Sequence, residues 1–340
     1  MHAIQLEKPE QFRLIDIPEP PAPGPGEAVA RVHRVGICGT DFSGYLGKMP
    51  FFSYPRIPGH ELGVEIVSVG PGVTNVSVGD RCAVEPYINC QKCYSCTRGH
   101  TNCCENHQTL GVHCDGGLRP FFTVPARKLH ISRSLNFEQL ALVETLAIGC
   151  HAINRSQPKA EETVLIIGAG PIGLSVVEFA RLTNARIILL DINERRLRFA
   201  REQMGVQETI LARGDDSDIQ TFQDMTNGRL GNVVVDATGN AGSMSNALKF
   251  VGFVGRLVYV GITTQEIKFA HPLMHRREMT LMGSRNAMSS DFSKIIALIE
   301  DKKIDTRPWI THHATLDEMI KQFPNWLKPE TGVVKAIVEV

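Results

Sequence analysis

The sequence predicts an α/β protein of two domains, one rich in short strands and one built on a doubly wound parallel sheet. Three observations predict it. The chain has 340 residues, where about 150 per domain is usual. Its texture changes near residue 160, from Gly- and Pro-rich segments with short apolar alternations to strand runs alternating with helical patterns. Its 43% apolar and 21% charged content is that of a chain that buries a core rather than staying disordered.

The elements follow in order. Ala28–Ile37, Leu62–Val69 and Arg81–Val84 alternate like strands, and the turns Pro23-Gly24-Pro25-Gly26, Gly70-Pro71-Gly72 and Val78-Gly79-Asp80 punctuate them. Many short strands joined this way favour a partly open barrel or sandwich. Asn136–Cys150 carries helical apolar spacing through Leu140, Val143, Leu146 and Ala147. Thr163–Ile167 reads as a strand, Pro171–Leu182 as a helix and Arg186–Leu190 as a second strand. Asn193–Met204 reads as a charged amphipathic helix stopped by Gly205, and Asn232–Asp236 and Arg256–Gly261 as further strands. Strands alternating with helices imply a parallel sheet. A helix over Asp291–Lys302 and a strand within Gly332–Val340 complete the chain.

Charge excludes some classes of partner. Lys plus Arg and Asp plus Glu are 36 each, so no net field favours nucleic acid or an anionic membrane. No apolar run reaches the ~18 residues of a membrane span. The N-terminal Met1–Glu7 lacks the basic and apolar segments of a signal peptide, which makes the cytoplasm the expected compartment. Five of the nine cysteines fall between Cys90 and Cys104; in a long chain without an export signal such density points to metal.

Cys90, Cys93, Cys96 and Cys104 place four thiols within fifteen residues. That spacing suits a tetrahedral zinc held by a turn-rich lobe, closed by four sulfurs and therefore structural. Cys103 competes for the fourth place. A second constellation is more dispersed. Gly36-Ile37-Cys38-Gly39-Thr40-Asp41 and Pro58-Gly59-His60-Glu61 each set a metal-ligand residue beside a carboxylate, and Glu144 lies on an apolar helix where a charge needs a partner. Cys38, His60 and Glu144 together would make an open catalytic zinc site, with a place left for substrate oxygen.

Gly168-Ala169-Gly170-Pro171-Ile172-Gly173 follows one strand and opens a helix, and Asp191 ends the next strand, eighteen residues after Gly173. Strand, glycines, helix, strand and acid in this order are the Rossmann dinucleotide fingerprint. Gly168, Gly170, Pro171, Ile172 and Gly173 would bring a pyrophosphate to the helix N-terminus, and Asp191 would bond the adenosine ribose. Arg195 and Arg196 complicate that pocket, since an arginine can accept a 2′-phosphate. Thr238 and Val260 stand where later strands end, at the expected nicotinamide edge.

Taken together these motifs resemble the zinc-dependent medium-chain dehydrogenases over essentially the full chain. Pro50–Pro55, Thr101–Glu105, Gly111–Gly117 and Gly283–Ala287 are similar to the sugar-acid and polyol branch. The resemblance implies a GroES-like β-rich catalytic domain (residues 1–150 and 287–340) with a Rossmann NAD-binding domain (151–286) inserted in it. It implies two zinc ions per chain, NAD, and homodimers or homotetramers that pair through the edge of the Rossmann sheet. It also implies that Cys38, His60, Glu61 and Glu144 serve the catalytic zinc, that Asp41 supports the His60 ring, and that Thr40 hands on the alcohol proton. Thr145 departs from the proline common after that acid, and Cys150 is the alternative to Glu144. The implied reaction passes a hydride from a secondary alcohol of an L-galactonate-like sugar acid, or of a polyol, to NAD⁺. L-threonine 3-dehydrogenase and sorbitol-type activity are the rival readings, with a non-catalytic nucleotide-binding protein more remote. Arg119, Arg285 and Asn286 are candidate substrate anchors, and Phe51, Phe52 and Tyr54 candidate pocket walls.

Overall fold

The computed structural model describes residues 1–50 and 52–340. The chain divides into two compact units, Met1–Thr145 with Ala287–Val340, and Leu146–Asn286. The division falls inside one helix, Phe137–Ser156, which runs further than the apolar spacing over Asn136–Cys150 suggests. Among the described residues no helix is long and apolar enough to cross a membrane.

In the first unit a seven-stranded sheet forms in the order Ile310–Thr315, Lys335–Glu339, Glu27–Ile37, Glu61–Val69, Arg81–Val84, Leu129–Ser132, with Phe121–Pro125 also paired to Glu27–Ile37. The pairings are antiparallel except the one between the two C-terminal strands. Chain order therefore understates the architecture: the C-terminal segment supplies two strands to the N-terminal sheet. Ala28, Val29 and Ala30 are all buried, and only around exposed Arg31, between buried Ala30 and Val32, does the strand show the period-two pattern of a sheet with one face on a core. An N-terminal hairpin of His2–Lys8 and Gln11–Asp16 escapes the sequence reading: its second strand buries no residue fully and only rests Phe12 and Ile15 against the core.

The C-terminal segment is also tied in by a buried charge network. The Lys128 ammonium and the Ser289 hydroxyl both donate to Glu85, and His130 Nε2 lies 3.4 Å from the same carboxylate. Glu85 and Lys128 are 1% and 2% exposed. Removing one member of a buried pair strands the other charge. Lys128→Met is therefore expected to lower the unfolding free energy by about 3–5 kcal/mol, with Glu85→Gln in the same chain recovering part of it. Urea unfolding measures this. A loss under about 1 kcal/mol would show that His130 and Ser289 hold Glu85 unaided.

The second unit is a six-stranded, wholly parallel sheet in the order Glu208–Leu211, Arg186–Asp191, Thr163–Ile167, Gly231–Asp236, Val251–Tyr259, Thr280–Gly283. Numbered along the chain this is 3-2-1-4-5-6, the doubly wound order of dinucleotide-binding sheets. Central strands such as Val164–Ile167 are apolar without alternation because both faces are buried. The helix Glu194–Met204 starts at Asn193, whose side chain accepts from the N–H groups of Arg195 and Arg196, and stops at left-handed Gly205.

Candidate metal centre and dinucleotide site

Sheet register in the first unit brings distant residues together. Strand Glu27–Ile37 ends one residue before Cys38, and its Gly36 pairs with Glu61, the first residue of the neighbouring strand. On its other side Ile37 pairs with Ala336, which sets Lys335 at the same end of the sheet. Gly36 is required here, because a Cβ would overlap the Glu61 carboxylate. The resulting cluster is Cys38, His60 and Glu61, whose donor atoms all lie within 4.8 Å of one another.

The groups around the cluster are buried and mutually constrained. Cys38 is the N-cap of the short helix Gly39–Tyr45, and its N–H donates to Asp41 Oδ2 at 2.9 Å. The other oxygen, Oδ1, faces His60 Nδ1 at 3.7 Å, and neither atom makes a hydrogen bond among the described residues. Lys335 Nζ donates to both Glu61 oxygens, at 2.6 and 2.7 Å, and reaches the Ile37 carbonyl at 3.3 Å. Lys335 was missed in the sequence. It is 1% exposed, and the only signal is a lysine directly before the apolar run Ala336–Val338.

Electrostatics shows which kind of ion these residues suit. Burial raises the carboxyl groups of Asp41 and Glu144 above the usual carboxylate range. Burial alone would depress the His60 imidazole, but Asp41 and Cys38, with Glu144, push it well above its ordinary value. Glu61 is held low against its own burial by the Lys335 ammonium. Three carboxyl groups and a thiol thus face one ammonium and one imidazole. A divalent cation suits that surplus, and a thiolate, imidazole and carboxylate donor set suits zinc.

Glu144 and Cys150 do not join this three-donor set. Glu144 is buried and accepts the Tyr87 hydroxyl on its Oε1; Cys150 is buried in the second unit, where the Asn154 amide lies 3.6 Å from its sulfur. Thr40 is half-buried on the first turn after Cys38. Of the candidate anchors, Arg119 spends Nε and Nη2 on the carbonyls of Gly116 and Asp115, at 2.9 and 3.2 Å, and Arg285 is exposed. Phe52 and Tyr54 pack in the core, with the Tyr54 hydroxyl on the Gly44 carbonyl. Phe51 lies outside the described residues.

A second metal-ligand group forms from Cys90, Cys93, Cys96 and Cys104, again with all four sulfurs within 4.8 Å of one another. Cys104 is buried and Cys103 exposed outside the group, so the turn at Thr101–Cys103 decides between the two competitors. Backbone N–H groups of Lys92 and Cys93 bring the Cys90 thiol down to about 6. The Asn89 amide lies 3.5 Å from Cys96 Sγ, and the Glu105 N–H 3.5 Å from Cys93 Sγ. N–H groups converging on sulfur favour thiolates, which are the metal-binding form.

In the second unit, Gly168 adopts φ +101° and the helix Pro171–Arg181 starts behind Gly170 with proline in its first turn. A Cβ on Gly173 would overlap the Gly168 carbonyl, so the tight turn needs glycine there. Asp191 ends the neighbouring strand and accepts the N–H of Ala169 at 2.6 Å and that of Asn193 at 2.7 Å. Arg196 Nη1 stands 3.9 Å from Asp191 Oδ2. At the same edge Thr238 Oγ1 donates to Asp236 at 2.7 Å, and Val260 is buried.

Two family models match this chain. Residues 24–133 match the alcohol dehydrogenase GroES-like domain and residues 171–301 the zinc-binding dehydrogenase domain. The chain is 38% identical over 303 residues to the L-galactonate-5-dehydrogenase of Escherichia coli, covering 88% of each. It is 32% identical over 328 residues to the L-arabinitol 4-dehydrogenase of Aspergillus niger, covering 92% of this chain and 84% of that one. An Escherichia coli alcohol dehydrogenase solved with the cofactor NADH superposes with a TM-score of 0.92 at 28% identity, covering 100% of this chain and 99% of the other. The relatives thus include dehydrogenases of a sugar acid and of a polyol. The chain belongs to the zinc-type medium-chain alcohol dehydrogenase family, with its GroES-like and Rossmann folds, and is an oxidoreductase acting on CH–OH donors.

Proposed function

We propose that this protein reversibly oxidises a secondary alcohol of a sugar acid of the L-galactonate type, or of a related polyol, with NAD⁺ as the acceptor. The convergence of Cys38, His60 and Glu61 into one donor set carries the reading; likeness to L-galactonate-5-dehydrogenase directs it to sugar acids. Cys38, His60 and Glu61 hold the catalytic zinc, with Glu144 beside it, and Cys90, Cys93, Cys96 and Cys104 hold a second, structural zinc. Zinc supplies a Lewis acid toward an alcohol oxygen, and NAD⁺ supplies the hydride acceptor.

The chain's own residues do the rest. Asp41 faces the His60 ring from 3.7 Å at Nδ1 and favours that ring orientation through its charge. Lys335 balances the Glu61 carboxylate. Thr40 Oγ1 takes the alcohol proton and passes its own toward the cofactor ribose. Gly168, Gly170, Pro171, Ile172 and Gly173 receive the pyrophosphate, Asp191 and Arg196 frame the adenosine ribose, and Thr238 and Val260 border the nicotinamide. Residues 1–150 with 287–340 form the catalytic domain and 151–286 the cofactor domain. Copies pair through the strand Thr280–Gly283, a sheet edge where Leu281 is exposed, into a cytoplasmic homodimer or homotetramer.

A panel of aldonates, polyols and L-threonine, followed by NADH absorbance and by zinc analysis, tests the reading. Two zinc ions per chain and preference for an aldonate or polyol are expected. Preference for L-threonine, or no zinc, would refute it.

A further inference from the structure

Tyr87 is 2% exposed, with its ring edge-on to Phe292 at 6.2 Å and tilted against His107 at 6.1 Å. Packing of this kind asks for an aromatic ring and nothing more. A phenylalanine would fill the space without the cost of burying a hydroxyl that must find a partner. The partner of the Tyr87 hydroxyl is Glu144 Oε1, fifty-seven residues away in sequence. Of the other carboxylates of this neighbourhood, Glu61 accepts on both oxygens from Lys335, and Asp41 accepts the Cys38 N–H on Oδ2 while its Oδ1 lies 3.7 Å from His60 Nδ1. Glu144 is the carboxylate the phenol holds, and it is the one that stands outside the set of donors within 4.8 Å of one another.

A zinc held by three protein donors keeps a place for substrate, whereas a fourth protein ligand closes it. A hydrogen bond to one carboxylate oxygen fixes the orientation of the whole group, and with it the direction in which the second oxygen can reach. We propose that Tyr87 is a positioning residue, whose hydroxyl holds Glu144 back from direct coordination and so keeps the metal's fourth place open. This rests on the reading of Cys38, His60 and Glu61 as the donors of the catalytic metal.

The test uses the full chain loaded with Co²⁺, and imidazole as the probe of the open place. Differences between the visible bands of the wild type and of Cys38→Ser isolate the catalytic cobalt from that of the four-cysteine lobe. Tyr87→Phe keeps the ring and its packing. In it the isolated bands are expected to shift, cobalt content to stay at the wild-type level, and the apparent Kd for imidazole to rise at least about tenfold, the lower end of what partners behind a metal site contribute. Adding Glu144→Gln should return imidazole binding to near the wild-type value, a rescue that a merely structural role for Tyr87 would not give. Unchanged bands and imidazole affinity in Tyr87→Phe would overturn the assignment, as would loss of the catalytic cobalt in that variant. A wild type whose bands match those of Cys38→Ser would instead refute the reading of the metal site itself, and the role of Tyr87 with it.

Discussion

Cys38→Ser is expected to lower turnover by roughly a thousandfold or more, which corresponds to about 4 kcal/mol of lost transition-state stabilisation. The sulfur is one of three donors, and the serine hydroxyl that replaces it is a poor zinc ligand. On the proposed reading of two zinc sites, only one ion should go, so zinc should fall from about two to about one per chain. The fold should survive, because the backbone of Cys38 holds the start of the seven-residue helix, its carbonyl accepting the Asp41 and Phe42 N–H groups and its N–H donating to Asp41. Cys93→Ser makes the contrasting experiment. Its sulfur lies 3.9 Å from Cys104 Sγ inside the lobe, where metal contributes folding energy, so the loss should appear first in thermal stability and solubility. Full activity in Cys38→Ser would remove the catalytic assignment, whatever the lobe does.

The second large effect concerns the cofactor. NAD⁺ should exceed NADP⁺ by at least about a hundredfold in kcat/KM, as roughly 2.7 kcal/mol gives. Asp191 is 6% exposed at the strand end, and a 2′-phosphate brought against its carboxylate meets like charge in a poorly solvated pocket. Arg196 is the counterweight: its guanidinium, 3.9 Å from the same carboxylate, partly neutralises it. The structure gives Asp191 a structural duty as well, because it ties the Ala169 N–H of the glycine turn to its own strand. Asp191→Ser should therefore erode most of the preference and also weaken both cofactors together by loosening that turn. Steady-state kinetics with each cofactor, in both proteins, separate the two effects. Equal efficiency with NAD⁺ and NADP⁺ in the unaltered enzyme would mean that Arg196 governs the pocket.

Several features were legible in the sequence because they depend on neighbours along the chain. The four cysteines close a lobe within fifteen residues, and the glycine turn joins a strand to the helix that follows it. The alternation of strands and helices after residue 160 was enough to predict a parallel sheet, since a right-handed crossover leaves few other arrangements. Single residues in the same regions were not legible. Cys103 and Cys104 are adjacent, and only the curl of the turn buries one and exposes the other.

Tertiary structure alone decided the metal centre. Cys38 and His60 meet because Gly36 pairs with Glu61 across two antiparallel strands, and a register shift of one residue would turn every one of those side chains to the other face. Lys335 reaches Glu61 from 274 positions away because the last strand pairs with Glu27–Ile37, a partner that no local pattern names. The Tyr87–Glu144 bond has the same origin, joining a two-residue strand to a helix. Local spacing thus determined which residues could bind metal and cofactor. Non-local strand pairing determined which of them share a site and which buried charges surround it, because the sequence carries side-chain identity and local periodicity, while register between distant strands is set only when their apolar faces are buried together.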